Sequence, residues 1–96
     1  MIFASVIKSF NYVATKEIFD GFAPKELPKE IMSAARRKLR YLDAALMLND
    51  LKIPPVNKLH HLTHSSAGQH AIWINDKYRI FFRWQHDGIY DVEIVD

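Results

Sequence analysis

Two adjacent histidines, His60 and His61, and the alternating residues Arg79, Phe81 and Arg83 have types and spacing that suit chemistry. Imidazole gives and takes protons near neutral pH, so either histidine is a candidate general acid or base; the alternative for each is a plain surface position. Neighbours in a strand point to opposite faces, which sets one histidine toward a core and the other toward solvent. Arg79 and Arg83 share a strand face on the order of 13 Å apart, a spacing that suits successive phosphates better than one. Phe81 between them could stack a nucleobase or fill a core. The two arginines could equally be exposed cations paired across a sheet with Glu93 or Asp91. A zinc site from His60, His61, His64 and His70 is disfavoured. Ligation by His60 and His64 at i, i+4 needs a helix, and the segment reads as strand then loop, with no cysteine or nearby carboxylate.

These residues need a scaffold, and hydrophobic spacing supplies one. Residues 2–10 read as a first strand, and residues 11–19 as a short helix capped at Asn11 or Thr15. Residues 21–28 form a loop, and Pro28 opens the one long helix. Ile31, Ala35, Leu39, Leu42 and Leu46 line one helical face, with the end near Ala45 or Leu46. Arg36, Arg37, Lys38 and Arg40 read as a solvated basic face, whose functional alternative is contact with a phosphate backbone. A turn over 48–51 precedes Pro54-Pro55, which cannot continue a helix. A short strand over 57–62, a loop over 63–68 and strands over 69–74, 78–84 and 89–95 follow. Asn75-Asp76 suits a two-residue hairpin turn, and His86-Asp87-Gly88 makes the next one. Tyr78, Ile80, Phe82 and Trp84 then share one face of their strand, with Arg79, Phe81 and Arg83 on the other. The class is α+β, an antiparallel sheet with two or three helices packed on one face.

The 96 residues make a single domain over 1–96. The absence of cysteine removes disulfides and thiolate metal sites. No apolar run approaches the roughly 20 residues that span a bilayer, and Met1 to Lys8 reads as a strand rather than a signal peptide, so a cytoplasmic protein is expected. The net charge is only +2, but it is unevenly spread. Six basic residues fall between Lys25 and Arg40, and from Lys52 to Arg83 five bases and four histidines face one acid, Asp76. The last ten residues carry Asp87, Asp91, Glu93 and Asp96 without a base. Such asymmetry points to a polyanionic or acidic partner at one face.

Leu51-Lys52-Ile53-Pro54-Pro55-Val56-Asn57-Lys58-Leu59-His60, then Gly68-Gln69, Ile72, Ile74-Asn75-Asp76, Arg79-Ile80, Phe82 and Asp91-Val92-Glu93-Ile94-Val95-Asp96 resemble the HigB toxins of the RelE superfamily. The likeness extends to Leu42-Asp43-Ala44-Ala45 and covers almost the whole chain. It implies a metal-free endoribonuclease without cofactor that cuts mRNA in the A site of the 70S ribosome. The partner implied is a HigA-like helix-turn-helix antitoxin, with operator DNA touched only through it. The implied reaction is attack of a ribose 2′-OH on the adjacent phosphate, which needs a base, a cation for the developing charge and an acid. By this resemblance Arg79 stabilises the charge, and His60 and Asp96 transfer protons or position the 2′-OH. Lys58, His61, Phe81 and Arg83 are the further RNA-binding candidates. Members of this kind continue with Tyr-His after the aspartate, and often carry a lysine where this chain has Thr63, a place where His61 or His64 supplies a cation only when protonated. The alternative expectation is an antitoxin-binding, co-repressing module without nuclease activity.

Overall fold

The computed structural model describes residues 5–63 and 68–96. Helix α1 (Val13–Phe19) and helix α2 (Met32–Ala44) precede a four-stranded antiparallel sheet of β1 (His60–His61), β2 (Gln69–Trp73), β3 (Arg79–Gln85) and β4 (Gly88–Val95). The strands follow one another in space in chain order, so β1 and β4 are the two outer strands. One face of the sheet, with Ile72, Ile80, Phe82, Val92 and Ile94, packs on Ile18 of α1 and on Ala35, Leu39 and Leu42 of α2. Each large aliphatic chain buried there stabilises the fold by roughly 1.5–3 kcal/mol over an exposed one. The other face carries Trp73, Arg79, Phe81 and Glu93, the alternate residues of the same strands.

The first expected strand is replaced by a looser arrangement. Ser5 to Phe10 runs beside β4 with only two isolated parallel bridges, Ile7 to Ile89 and Phe10 to Val92. Its ladder is broken because β4 bulges opposite Phe82, where Asp91 takes a positive φ of 56°. The Asp91 N–H donates to Ser9 Oγ (2.8 Å) instead of to a strand. Asp43 at the end of α2 fixes the same segment, accepting from the N–H groups of Val6 (2.9 Å) and Ile7 (3.1 Å). A Cβ on Gly88 would stand 2.9 Å from the Val6 carbonyl oxygen, so only glycine lets this segment lie so close.

Several expected boundaries move for local reasons. Neither Asn11 nor Thr15 caps α1, which begins after Tyr12 without a side-chain cap. Thr15 is instead buried, its Oγ1 accepting from the Ile94 N–H (3.0 Å). Pro28 leads into a single 3₁₀ turn, Lys29–Ile31, and the α-helix starts at Met32. That helix stops at Ala44, Ala45 is extended, and Leu46 is left 92% exposed rather than on the apolar face. The Asp50 carboxylate holds this break by accepting from the N–H groups of Leu46 and Met47. Two further 3₁₀ turns, Leu48–Lys52 and Pro55–Asn57, occupy most of the path to β1, so the strand expected over 57–62 shrinks to its two histidines.

Lys38 also departs from the solvated face expected of it. It lies three residues after Ala35 and four before Leu42, on the buried side of α2, and is only 3% exposed. Its Nζ donates to Oδ1 of the fully buried Asn57 (2.5 Å), while Asn57 Nδ2 donates to the carbonyls of Leu51 (3.1 Å) and Ile53 (3.3 Å). One amide thus ties the helix to both 3₁₀ turns. Desolvation, and after it the charge of Arg37, lowers the Lys38 pKa. Folding therefore favours the uncharged amine. Stability gains as pH rises through the lowered value toward the ordinary 10.5.

Replacing Asn57 by leucine should cost about 1–3 kcal/mol in urea unfolding, because it strands a buried ammonium. Across a pH series from neutral to alkaline, the wild type should gain stability on a Lys38→Met variant; parallel curves would remove the buried charge from the account.

Candidate functional site

The outer sheet face gathers the chemistry. Lys58 has a left-handed backbone (φ 49°) at the end of the Pro55–Asn57 turn, which sends the chain back toward the sheet. Its Nζ lies 4.0 Å from the centroid of the Trp73 ring, and the Arg79 guanidinium lies 3.7 Å from the same centroid. The two charges are therefore within about 8 Å of each other, where they repel by roughly 0.5 kcal/mol in water and 2 kcal/mol near a protein surface. Each cation–π contact returns about 0.5–1 kcal/mol, so the indole offsets the repulsion it permits. Among the described residues neither cation has a carboxylate within ion-pair distance. Arg79 also donates to the carbonyls of Asn75, Tyr78 (3.2 Å) and Asp76 (3.2 Å), which anchors it to the hairpin.

His60 stands beside these cations. It pairs with Ala71, two residues along β2 from Trp73 and on the same face. Its Nδ1 is 2.9 Å from the Lys58 carbonyl oxygen. A carbonyl only accepts, so the proton of a neutral ring sits on Nδ1 and the Nε2 lone pair is left for a substrate. Phe81 lies next in that row, opposite Ala71 on one side and Glu93 on the other, and is half-buried.

The remaining expected residues lie elsewhere. Both adjacent histidines are exposed, because β1 is a two-residue outer strand; the expected core-side histidine is not buried. His61 turns to the opposite face, its ring 5.1 Å from that of His70, which in turn stacks at 5.9 Å on Phe82. Arg83 pairs with Asp91 (3.2 Å), one of the two cross-sheet partners the sequence offered. Asp96 follows β4 at the far side of the sheet from His60, three strand spacings or roughly 14 Å across the sheet and about three residues further along it. It lines a cavity of about 330 Å³ with Tyr12, Glu26, Leu27 and Tyr78. Its chain neighbour Val95 is the cross-strand partner of Arg79. His64 lies outside the described residues, among which no three His, Asp or Glu side chains gather as around a metal ion.

Trp73 is the site residue that the sequence reading passed over. A two-residue turn at Asn75-Asp76 sets Trp73 opposite Tyr78, on the apolar face. The actual loop has three residues, since the Ile74 N–H donates to the Tyr78 carbonyl (2.9 Å) and Trp73 pairs with Arg79. Asn75 makes it so by accepting from the N–H groups of Lys77 (2.9 Å) and Tyr78 (2.7 Å). One residue of register exchanges the faces. The buried pair Ile72 and Ile74 was the available signal, because Trp73 between them must point outward.

Residues 8–96 match the family model described as RelE-like toxin of type II toxin-antitoxin system HigB. The chain is 43% identical over 63 residues to Toxin HigB-1 of Vibrio cholerae serotype O1, the matched stretch covering 66% of this chain and 65% of that protein. It is 26% identical over 69 residues to an uncharacterized protein of Haemophilus influenzae, covering 72% of this chain and 68% of the relative. Two crystal structures of the E. coli DinJ-YafQ complex contain a chain of the same fold. One superposes with a TM-score of 0.59 at 17% identity, over 95% of this chain and 91% of that one. The other gives 0.58 at 19%, over 92% and 87%.

The histidine pair on the inner side predicts a pH response. Burial, then the charges of His61 and His60, lowers the His70 pKa below 6.5. The folded state thus disfavours the imidazolium, and stability present above 6.5 is lost as pH falls through the lowered value. Urea unfolding between neutral pH and about pH 5 should show a steeper loss for the wild type than for His70→Gln; equal slopes would count against His70 as the sensitive group.

Proposed function

Since the chain belongs to the HigB-like family of RelE-like toxins of type II toxin–antitoxin systems, we propose that it is a ribosome-dependent, metal-independent endoribonuclease that cuts mRNA in the A site. The observation that carries this reading is the outer sheet face, where among the described residues Lys58 and Arg79 have no carboxylate partner and the imidazole beside them uses Nδ1 for the Lys58 carbonyl, leaving Nε2 without a partner. Such a face attracts a phosphodiester and holds a proton acceptor next to it.

The ribose supplies its own nucleophile. His60 Nε2 takes the 2′-OH proton, the 2′-oxygen bonds to phosphorus, and the P–O5′ bond breaks to leave a 2′,3′-cyclic phosphate. The departing 5′-oxygen takes a proton to become a 5′-OH. Lys58 and Arg79 neutralise the charge that builds on the non-bridging oxygens, the step where fixed cations count most. In-line displacement sets the attacking and leaving oxygens on opposite sides of phosphorus. A phosphate at Arg79 has His60 beside it on the same face, whereas Asp96 follows Val95, the Arg79 partner, and lines the cavity of Tyr12 and Tyr78. Asp96 enters the proposal by the family resemblance alone, with His60, as a group that transfers a proton or positions the 2′-OH, and the geometry assigns neither its role as base nor as acid. Phe81 is the ring for a base of the message and Arg83 flanks the path of the strand, while His61, whose ring turns to the opposite face, is an RNA-binding candidate by the resemblance alone. The wider setting is a cytoplasmic toxin restrained by a HigA-like helix-turn-helix antitoxin, which alone contacts operator DNA. The DinJ-YafQ complexes supply the precedent for an antitoxin on this fold.

One observation favours the second reading, a co-repressing antitoxin-binding module. Arg79 already donates to three backbone carbonyls, which suits a structural arginine.

Mapping the 5′ ends of a defined mRNA in a reconstituted bacterial translation system separates the two. The wild type should cut at A-site codons, and His60→Ala should cut about 10²–10⁴ times more slowly while binding antitoxin unchanged. Unaltered cutting by His60→Ala would remove His60 from the mechanism, and no cutting by the wild type would leave the co-repressor.

A further inference from the structure

We propose that Trp73 is a positioning residue, whose indole is the template on which Lys58 and Arg79 are held together so that both engage one phosphodiester of single-stranded RNA; this rests on the nuclease reading above. The two cations come from separate parts of the fold, Lys58 from the end of a 3₁₀ turn and Arg79 from the start of β3. Trp73 is the element they share, at 4.0 and 3.7 Å from its ring centroid. Arg79 has a second anchorage in the hairpin carbonyls, but Lys58 does not. Its exposed ammonium donates to no group among the described residues, so the indole alone sets where that charge stands. A lysine without such a surface spreads its charge over many rotamers and meets a phosphate only after giving up that freedom.

The arrangement also divides the labour between the two rings on this face. The Trp73 ring carries cations, which leaves Phe81 as the ring for a base. Trp73 therefore acts through Lys58 and Arg79 and does not touch the RNA. Loss of its ring should weaken phosphate binding and its electrostatic signature together, while leaving base preference unchanged.

The test is binding of an RNA oligonucleotide carrying 2′-deoxy substitutions, which cannot be cleaved, followed across a salt series for the whole chain. Trp73→Leu should lose about tenfold in affinity, and its salt slope should fall by about 0.7, the share of one phosphate contact on a single strand. Trp73→Phe, which keeps an aromatic face, should retain most of both. Proton spectra of the free protein should show ring-current-shifted Lys58 side-chain signals that return to ordinary positions in Trp73→Leu. Equal losses for the phenylalanine and leucine variants would assign the effect to packing and overturn the template. Wild-type affinity and slope in Trp73→Leu, with Lys58→Ala and Arg79→Ala both weakened, would overturn the template and leave the RNA site standing. Wild-type binding in all three would overturn the RNA site and the template with it. Should Trp73→Leu fail to fold, Trp73→Tyr and Trp73→Phe are compared with Lys58→Ala, and the template stands only if both aromatic variants bind more tightly than Lys58→Ala.

Discussion

The contact between Lys38 and Asn57 is the constraint on which the outer sheet face depends. A buried ammonium without a carboxylate adds little net stability, because its desolvation opposes every hydrogen bond it makes. Its value is geometric. Asn57 gathers the Leu51 and Ile53 carbonyls and the Lys38 ammonium at one point, which closes two 3₁₀ turns against α2. The chain leaves that point through the left-handed Lys58 and enters β1 at His60. The positions of Lys58 and His60 are thus referred back to the helix on the far side of the sheet.

The sheet separates two chemistries that the strand alternation keeps apart. Its inner face is aliphatic, interrupted by the ring contacts of His61, His70 and Phe82. Its outer face is cationic, and the acids on β4 are arranged so as not to cancel it. Asp91 is engaged by Arg83 and Ser9 at the bulge, and Glu93 lies across Phe81 rather than against Lys58 or Arg79. The asymmetry of charge along the chain therefore survives folding as an asymmetry of faces.

Much of this was legible in the sequence where a period repeats. The spacing of Ile31, Ala35, Leu39 and Leu42 marked the buried side of α2, and the alternation through Ile80 and Phe82 marked the two faces of β3. The family resemblance led to His60 and Arg79 before any geometry was known. What escaped depends on single contacts rather than on periods. Lys38 sits at a buried helical position but reads as one more basic residue, because its partner Asn57 is remote in sequence. Leu46 continues the apolar spacing past a helix that Asp50 helps to end. Trp73 changed faces with one residue of loop length, a choice made by the Asn75 side chain. Asp96 matched a motif, yet its place beside Tyr12 and Tyr78, away from His60, follows from strand order alone.

Lys58 serves the outer face twice, through its carbonyl to His60 Nδ1 and through its ammonium over Trp73. The tautomer of the imidazole and the location of a positive charge are consequently fixed by one residue whose backbone is already in an uncommon conformation. Proton inventory and field are mechanically joined there. Because both start from one left-handed backbone, a change in the Lys58 φ displaces the acceptor that orients the histidine and the root of the side chain that carries the charge.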